Sequence, residues 1–162
     1  MKTITPSCRE LTQVIAVRHG AYNDQTRDLN ELGRNQVHKL AHTLRRRIEE
    51  KEVVEVFSSP AQRAQTSAAI IAKEFGISHM VCDALRSDNY EDGDYLMNAL
   101  LAKRNGSTVI IAVAHHKAPS EIIHAFARRD FKTSVRCFES AKGDGCSICL
   151  KTGTISLSVL AP

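Results

Sequence analysis

Arg18-His19-Gly20 closes the apolar run Val14-Ile15-Ala16-Val17, and a short apolar run of that kind reads as a buried strand. Two more segments repeat the arrangement. Phe57-Ser58-Ser59-Pro60 ends a second strand-like run and leads to Arg63, and the run from Val109 to Ala114 ends in His115-His116. Arg18, His19, Arg63 and His115 thus stand just past the ends of three expected strands. Open α/β sheets keep their ligand crevice at the carboxyl ends of strands. Guanidinium groups there can hold an anion, and an imidazole beside them can attack it. Residue types and positions together describe a phosphate site with a nucleophile in it.

The elements that must position these residues alternate. After the first strand comes a polar loop, 21–27. A helix is expected from about Asn30 as N-cap, with apolar positions at Val37, Leu40, Ala41 and Leu44. Val53 to Phe57 reads as a strand, and Ala61 to Phe75 as a helix stopped by Gly76. Ile77 to Cys82 reads as a short strand. An acidic loop from Arg86 precedes a helix over Tyr95 to Lys103, which Asn105-Gly106 closes. Thr108 to Val113 is the strand before the histidine pair. Pro119 opens a helix that runs to about Arg128. Ser147 to Leu150 and Thr154 to Leu160 flank Lys151-Thr152-Gly153 and read as a closing hairpin. Strands alternating with helices predict an α/β three-layer sandwich with a mainly parallel central sheet and helices on both faces.

Composition narrows the class. At 162 residues and 43% hydrophobic, the chain is expected to be one domain, 1–162, with a proper core. No apolar run approaches the roughly 20 residues of a membrane span, and the first residues lack the apolar stretch of a signal peptide. A cytoplasmic protein with no membrane partner is the expectation. The net charge of +4 is mild and aromatic residues are 5% of the chain, so no nucleic-acid partner is expected. Arg45-Arg46-Arg47 followed by Glu49-Glu50-Lys51-Glu52 reads as a solvated helix end. The five cysteines form no framework, and Cys146-Ser147-Ile148-Cys149 is a lone CxxC read as a turn leading into a terminal strand. His38 and His42 are four apart on a helix with no further ligand placed beside them, so a solvated face is expected and no metal.

In order, the motifs Val17-Arg18-His19-Gly20, Leu29-Asn30-Glu31-Leu32-Gly33-Arg34 with Gln36, Ser58-Ser59-Pro60 with Arg63-Ala64, and Val113-Ala114-His115 resemble the histidine phosphatase superfamily, which has the phosphoglycerate mutase-like fold. The resemblance runs from about Val14 to Leu160. The short length and the segment from His115 to Phe126 most resemble the small bacterial phosphohistidine phosphatases. The resemblance implies a metal-independent phosphatase with no cofactor, working through a phosphohistidine on His19. Arg18 and Arg63 would grip the phosphate oxygens and offset their charge. His115 would add a third contact as a donor. His19 must be neutral at the attacking nitrogen, with the other nitrogen held by a backbone carbonyl, and the two guanidiniums favour that state. His116 is expected to line the mouth of the site.

The sequence also departs from the family pattern. Ala21-Tyr22-Asn23 follows the glycine where many members have an acidic or polar residue, and Asn23 is a candidate phosphate ligand. Ser67, with Thr66 beside it, stands where the family usually has threonine. Many members carry a glutamate in the segment before the strand that ends in the second histidine. Here that position falls on Ser87 or Asn89, and Asp88 and Glu91 are the nearest candidates for a general acid. A chain without such an acid is expected to favour substrates with good leaving groups, such as a protein phosphohistidine. The alternatives are a small-molecule phosphomonoesterase and a catalytically weak module that binds phosphorylated partners. The chain is short for a mutase and has no carboxylate-rich set for a metal hydrolase.

Overall fold

The computed structural model describes residues 10–87, 92–132 and 141–157. The candidate acids Asp88 and Glu91 therefore lie outside the described residues, as does the end of the expected hairpin beyond Leu157. The elements follow the order β1 (Gln13–Arg18), α1 (Glu31–Arg47), β2 (Val54–Ser58), α2 (Gln62–Glu74), β3 (Met80–Val81), α3 (Gly93–Lys103), β4 (Val109–Ala114), α4 (Ala118–Phe131), β5 (Gly145–Cys149) and β6 (Ile155–Leu157). A 3-10 turn, Asp83–Leu85, follows β3.

The six strands form one sheet in the order β3-β2-β4-β1-β5-β6. β1 pairs parallel with β4, and β2 pairs parallel with both β3 and β4. β5 pairs antiparallel with β1 and with β6. Alternate side chains face opposite layers, as strand geometry requires. Ile15, Val17, Val56, Ile111 and Val113 pack with Val37, Leu40, Leu44, Ala68 and Ile71 of α1 and α2. Val14, Ala16, Phe57, Ile110 and Ala112 pack with Leu96, Leu100, Ile122 and Phe126 of α3 and α4. This is the expected three-layer α/β sandwich. β4 is buried at all six positions, as an interior parallel strand covered on both faces must be.

Local chemistry explains the helix ends. The Asn30 side chain accepts from Gly33 N and caps α1, whose last turn carries Arg45, Arg46 and Arg47 at the negative end of the helix dipole. Gly76, at φ +66, ends the α2 segment in the left-handed conformation that glycine adopts without penalty. Pro119 sits in the first turn of α4, where its missing N–H costs nothing.

Three local expectations are corrected. The strand expected over 77–82 shrinks to Met80–Val81, because β3 is an edge with β2 as its sheet neighbour and the chain bends into the 3-10 turn directly after Cys82. α3 begins at Gly93, not Tyr95, because the Asp92 side chain accepts from Tyr95 N and caps it there. A side chain at Gly93 would place its Cβ 2.4 Å from Glu121 O, so the α3–α4 contact requires glycine. The CxxC segment is no turn. Cys146 and Cys149 lie within β5, which is a member of the main sheet. Three residues apart on a strand they point to opposite faces.

Candidate active site

The carboxyl ends of β1, β2 and β4 lie side by side, and backbone hydrogen bonds continue past the strands. His19 N donates to Ala114 O (3.1 Å) and Ser59 N donates to Val113 O (3.0 Å). Arg18 is the last residue of β1, with His19 directly after it. Arg63 is the second residue of α2, and His115 follows β4. The four residues singled out in the sequence are thereby brought to one place. His19 and His115 are 4% and 5% exposed, and their ring centres are 5.2 Å apart.

His19 Nδ1–H donates to Gly20 O at 2.8 Å, which fixes the tautomer and leaves Nε2 with its lone pair outward. Arg63 Nε–H donates to that Nε2 at 3.2 Å. The second arm of the same guanidinium, Nη2, lies 3.4 Å from His115 Nδ1. His115 Nε2 is bonded to Ser59 Oγ at 2.8 Å. A hydroxyl both donates and accepts, so Ser59 supports either tautomer of His115. With Ser59 accepting, Nδ1 takes the hydrogen bond from Arg63. With Ser59 donating, Nδ1–H is free to donate to an oxyanion. Ser59 was visible in the sequence only as part of the Ser-Ser-Pro motif.

Burial is the largest cause of the low pKa of His19, about 3. The Gly20 hydrogen bond opposes it, and the nearby His115, Arg63 and Arg18 push further down. His115 is lowered to about 4, first by burial and then by Arg63 and Arg18. The guanidiniums that the sequence offered as the reason for a neutral histidine act, but desolvation acts more strongly. Stability should follow. Below pH 6.5 the unfolded chain takes up protons on both rings, while the folded rings resist until about 4 and 3. The unfolded state then binds more protons, so stability falls as pH falls from 6.5 toward these values. The urea midpoint is expected to drop between pH 7 and 4.5, and to drop less steeply in His19→Asn. Equal slopes in the two proteins would refute this assignment.

The loop after His19 is locked onto two helices. A Cβ on Gly33 would lie 1.9 Å from Ala21 O, and one on Gly20 would lie 2.6 Å from Gly33 O. The two backbones approach so closely that both positions need glycine. Ala21 N donates to Gln36 Oε1 (3.0 Å) and Gly20 N donates to Ser67 Oγ (3.2 Å). Ser67 Oγ in turn donates to Arg63 O at 2.8 Å. Ser67, Gln36 and Gly33 therefore fix the frame that holds His19 and Arg63. Thr66 Oγ1 donates to Asp28 Oδ1 at 2.6 Å and ties the outer loop to α2.

Asn23 is exposed, and its Oδ1 accepts from Gln25 N and Thr26 N, within its own loop. His116 is exposed beside buried His115. His38 and His42 lie on the exposed face of α1, and His42 Nδ1 is 3.3 Å from Glu74 Oε1. Among the described residues no three His, Cys, Asp or Glu side chains are grouped to hold a metal, and no helix is long and apolar enough to cross a membrane.

Tyr22 is the residue that sequence reasoning passed over. Its ring meets His19 edge-on at 5.4 Å. The guanidinium of Arg63 lies 4.6 Å from its centre, Lys142 Nζ 5.1 Å and Arg27 5.6 Å. Nothing in the spacing of Tyr22, Arg27 and Lys142 signals that they meet. Beside His115 opens a polar pocket of about 430 Å³ lined by Ser59, Pro60, Ala61, Arg86, Ser87 and His115. Among the described residues no carboxylate lines it.

No match is found among curated protein sequences. Among solved structures, the protein histidine phosphatase SixA complexed with tungstate is 20% identical, with 91% of this chain and 97% of that one covered and a TM-score of 0.64. The ecdysone phosphate phosphatase of Bombix mori, also complexed with tungstate, is 13% identical, with 93% and 94% covered and a TM-score of 0.73. These likenesses establish the phosphoglycerate mutase-like fold. The model of the histidine phosphatase superfamily (branch 1) matches residues 14–129, a span that holds Arg18, His19, Arg63 and His115, and to that superfamily the chain belongs.

Proposed function

We propose that the chain is a phosphatase that takes a phosphoryl group onto His19 Nε2 and passes it to water, with a protein phosphohistidine as its preferred substrate. One observation carries the reading. His19 Nε2 is unprotonated at a buried position, with Nδ1–H locked on Gly20 O behind it and the Nε2 lone pair facing the Arg63 guanidinium, whose Nε–H it accepts. A nucleophile that must approach a dianion needs both features, an unprotonated nitrogen and fixed positive charge. Arg18 and Arg63 hold the phosphoryl oxygens, and Asn23 is a candidate contact at the outer edge. His115 donates from Nδ1 once Ser59 donates to its Nε2. Both tungstate-bound relatives hold a tetrahedral oxyanion on this fold, which supports the reading.

In the first step the His19 Nε2–P bond forms as the P–N bond of the substrate breaks. The substrate imidazole carries a solvent proton on its distal nitrogen, so it leaves neutral and needs no acid from the protein. Water then attacks phosphorus, releasing inorganic phosphate and restoring His19. An alkoxide leaving group does need a donor, worth about 10²–10⁴ in rate. Ser87 or Asn89 at the position where many family members carry a glutamate supports a preference for the substrate that does without one. In the proposed scheme the arginines supply the charge that a metal supplies elsewhere, so a chelator is expected to leave turnover unchanged. The test is the ratio of kcat/KM for a phosphohistidine peptide and for an alkyl phosphate ester. A ratio of about 10² or more is expected, and equal turnover of the alkyl ester would overturn the substrate assignment.

A further inference from the structure

Four cations gather at the site: Arg18, Arg63, Arg27 and Lys142. If the phosphatase reading holds, on which this inference rests, a phosphoryl dianion is offset by Arg18 and Arg63. Arg27 and Lys142 remain. Both side chains are exposed and lie against the ring of Tyr22, which touches His19. Among the described residues no carboxylate lies within ion-pair distance of Arg27, Arg63 or Lys142. Attraction to an aromatic face is a weak reason to crowd like charges at an exposed site.

The backbone is built to bring these two residues there. Arg27 occupies the left-handed region at φ +62, which a non-glycine residue adopts at a cost. The loop holds it so: Arg27 N donates to Asn23 O (2.8 Å), Asn23 N donates to Asp28 O (2.9 Å), and Tyr22 bridges to Leu29. Strain retained at the rim of a reaction site points to use of the side chain. Lys142 arrives from the far end of the chain. Gly143, next to it, donates its N–H to both Arg18 O (3.2 Å) and His19 O (3.0 Å). A Cβ there would meet Gln36 Cβ at 2.7 Å, and the residue sits at φ +78, so glycine is required.

We propose that Arg27 and Lys142, carried on Tyr22, form a second subsite that binds a further anionic group, a carboxylate or phosphoryl, on the same substrate whose phosphoryl group is transferred to His19. The group belongs either to an acidic residue flanking the phosphorylated side chain of a protein or to a small molecule with two acidic groups.

Calorimetric binding of 3-phosphonopropionate and of propylphosphonate, similar in length and different in the carboxylate, isolates the subsite from catalysis. The carboxylated ligand is expected to bind about tenfold tighter, the scale of one hydrogen-bonded charge. That ratio is expected to fall toward one in Arg27→Gly, which also relieves the backbone, and in Lys142→Ala, an exposed position. A ratio near one in the wild type, or one that survives both substitutions, overturns the proposal. Turnover of phosphohistidine peptides with Asp or Asn beside the phosphorylated residue separates the sources. Preference for the Asp peptide assigns the group to a protein. Equal peptides alongside a tenfold phosphonate ratio assign it to a small molecule. If no phosphorylated substrate is turned over, the phosphatase reading fails, and the phosphonate ratio still decides the subsite.

Discussion

Replacing His19 with Ala is expected to lower kcat by at least about 10³, the scale on which removal of a covalent nucleophile is felt. Wild-type enzyme quenched in alkali during turnover is expected to retain protein-bound phosphate, and the acid-quenched sample to lose it, as a phosphoramidate does. The variant should show neither. No second nitrogen is ready to take over. His115 Nε2 is engaged by Ser59, and its Nδ1 faces the Arg63 guanidinium. His116 is exposed, outside the buried pair. Residual activity above about a tenth of wild type, far beyond what binding and fixed charge alone sustain, would move the nucleophile elsewhere. Circular dichroism and a urea midpoint distinguish lost chemistry from a lost fold.

Arg63→Ala is expected to cost about 10²–10³ in kcat/KM, the range for losing a preorganised charge that faces the reacting group. Arg63 joins three parts of the centre. One guanidinium reaches His19 Nε2 through Nε and His115 Nδ1 through Nη2, and lies over Tyr22. Arg63→Lys is the informative companion. Lysine keeps the charge but has no planar fork, so it cannot span both histidines. It is expected to recover less than about a tenth of the lost activity if geometry dominates. Full recovery by lysine would mean that charge alone is needed and that the bidentate contact is incidental. Arg63 is half-buried on the first turn of α2, so its truncation leaves the core intact.

The buried half of this molecule could be read from its residues. β1, β2 and β4 appear as apolar runs because strands covered on both faces have no polar side to show, and α1 appears through the spacing of Val37, Leu40, Ala41 and Leu44. His19, Arg18, Arg63 and His115 could be placed because each follows such a run by a fixed, short step. Less followed from sequence where a residue's role depends on a distant backbone. Gly33 and Gly143 look like ordinary turn or helix residues until the close approach to Ala21 and Gln36 is seen. Lys142 and Tyr22 are brought together by a hydrogen bond from Gly143 across the sheet end, and no periodicity encodes that. β3 was overextended because Ile77 still donates its N–H to Ala72 O at the end of α2, and pairing with β2 is confined to Phe57 and Ser58. The strand half of the closing hairpin was legible at Ser147 to Leu150, but its start at Gly145 and its second pairing, with β1, were not, so Cys146 was read into a turn.

β1 lies between β4 and β5, and its Gln13 is paired with Val109 on one side and Cys149 on the other. During synthesis β1, which ends beside His19, emerges before either of its sheet neighbours and has none until β4 has emerged. Pairing across such separations pays its chain entropy before any contact rewards it, and it is slow. Assembly of the sheet end that holds Arg18 and His19 is therefore expected to await β4. A nascent chain stalled before Gly145 would hold Arg18, His19, Arg63 and His115 without the strand that closes β1, leaving an apolar edge open to chaperones or to neighbouring chains.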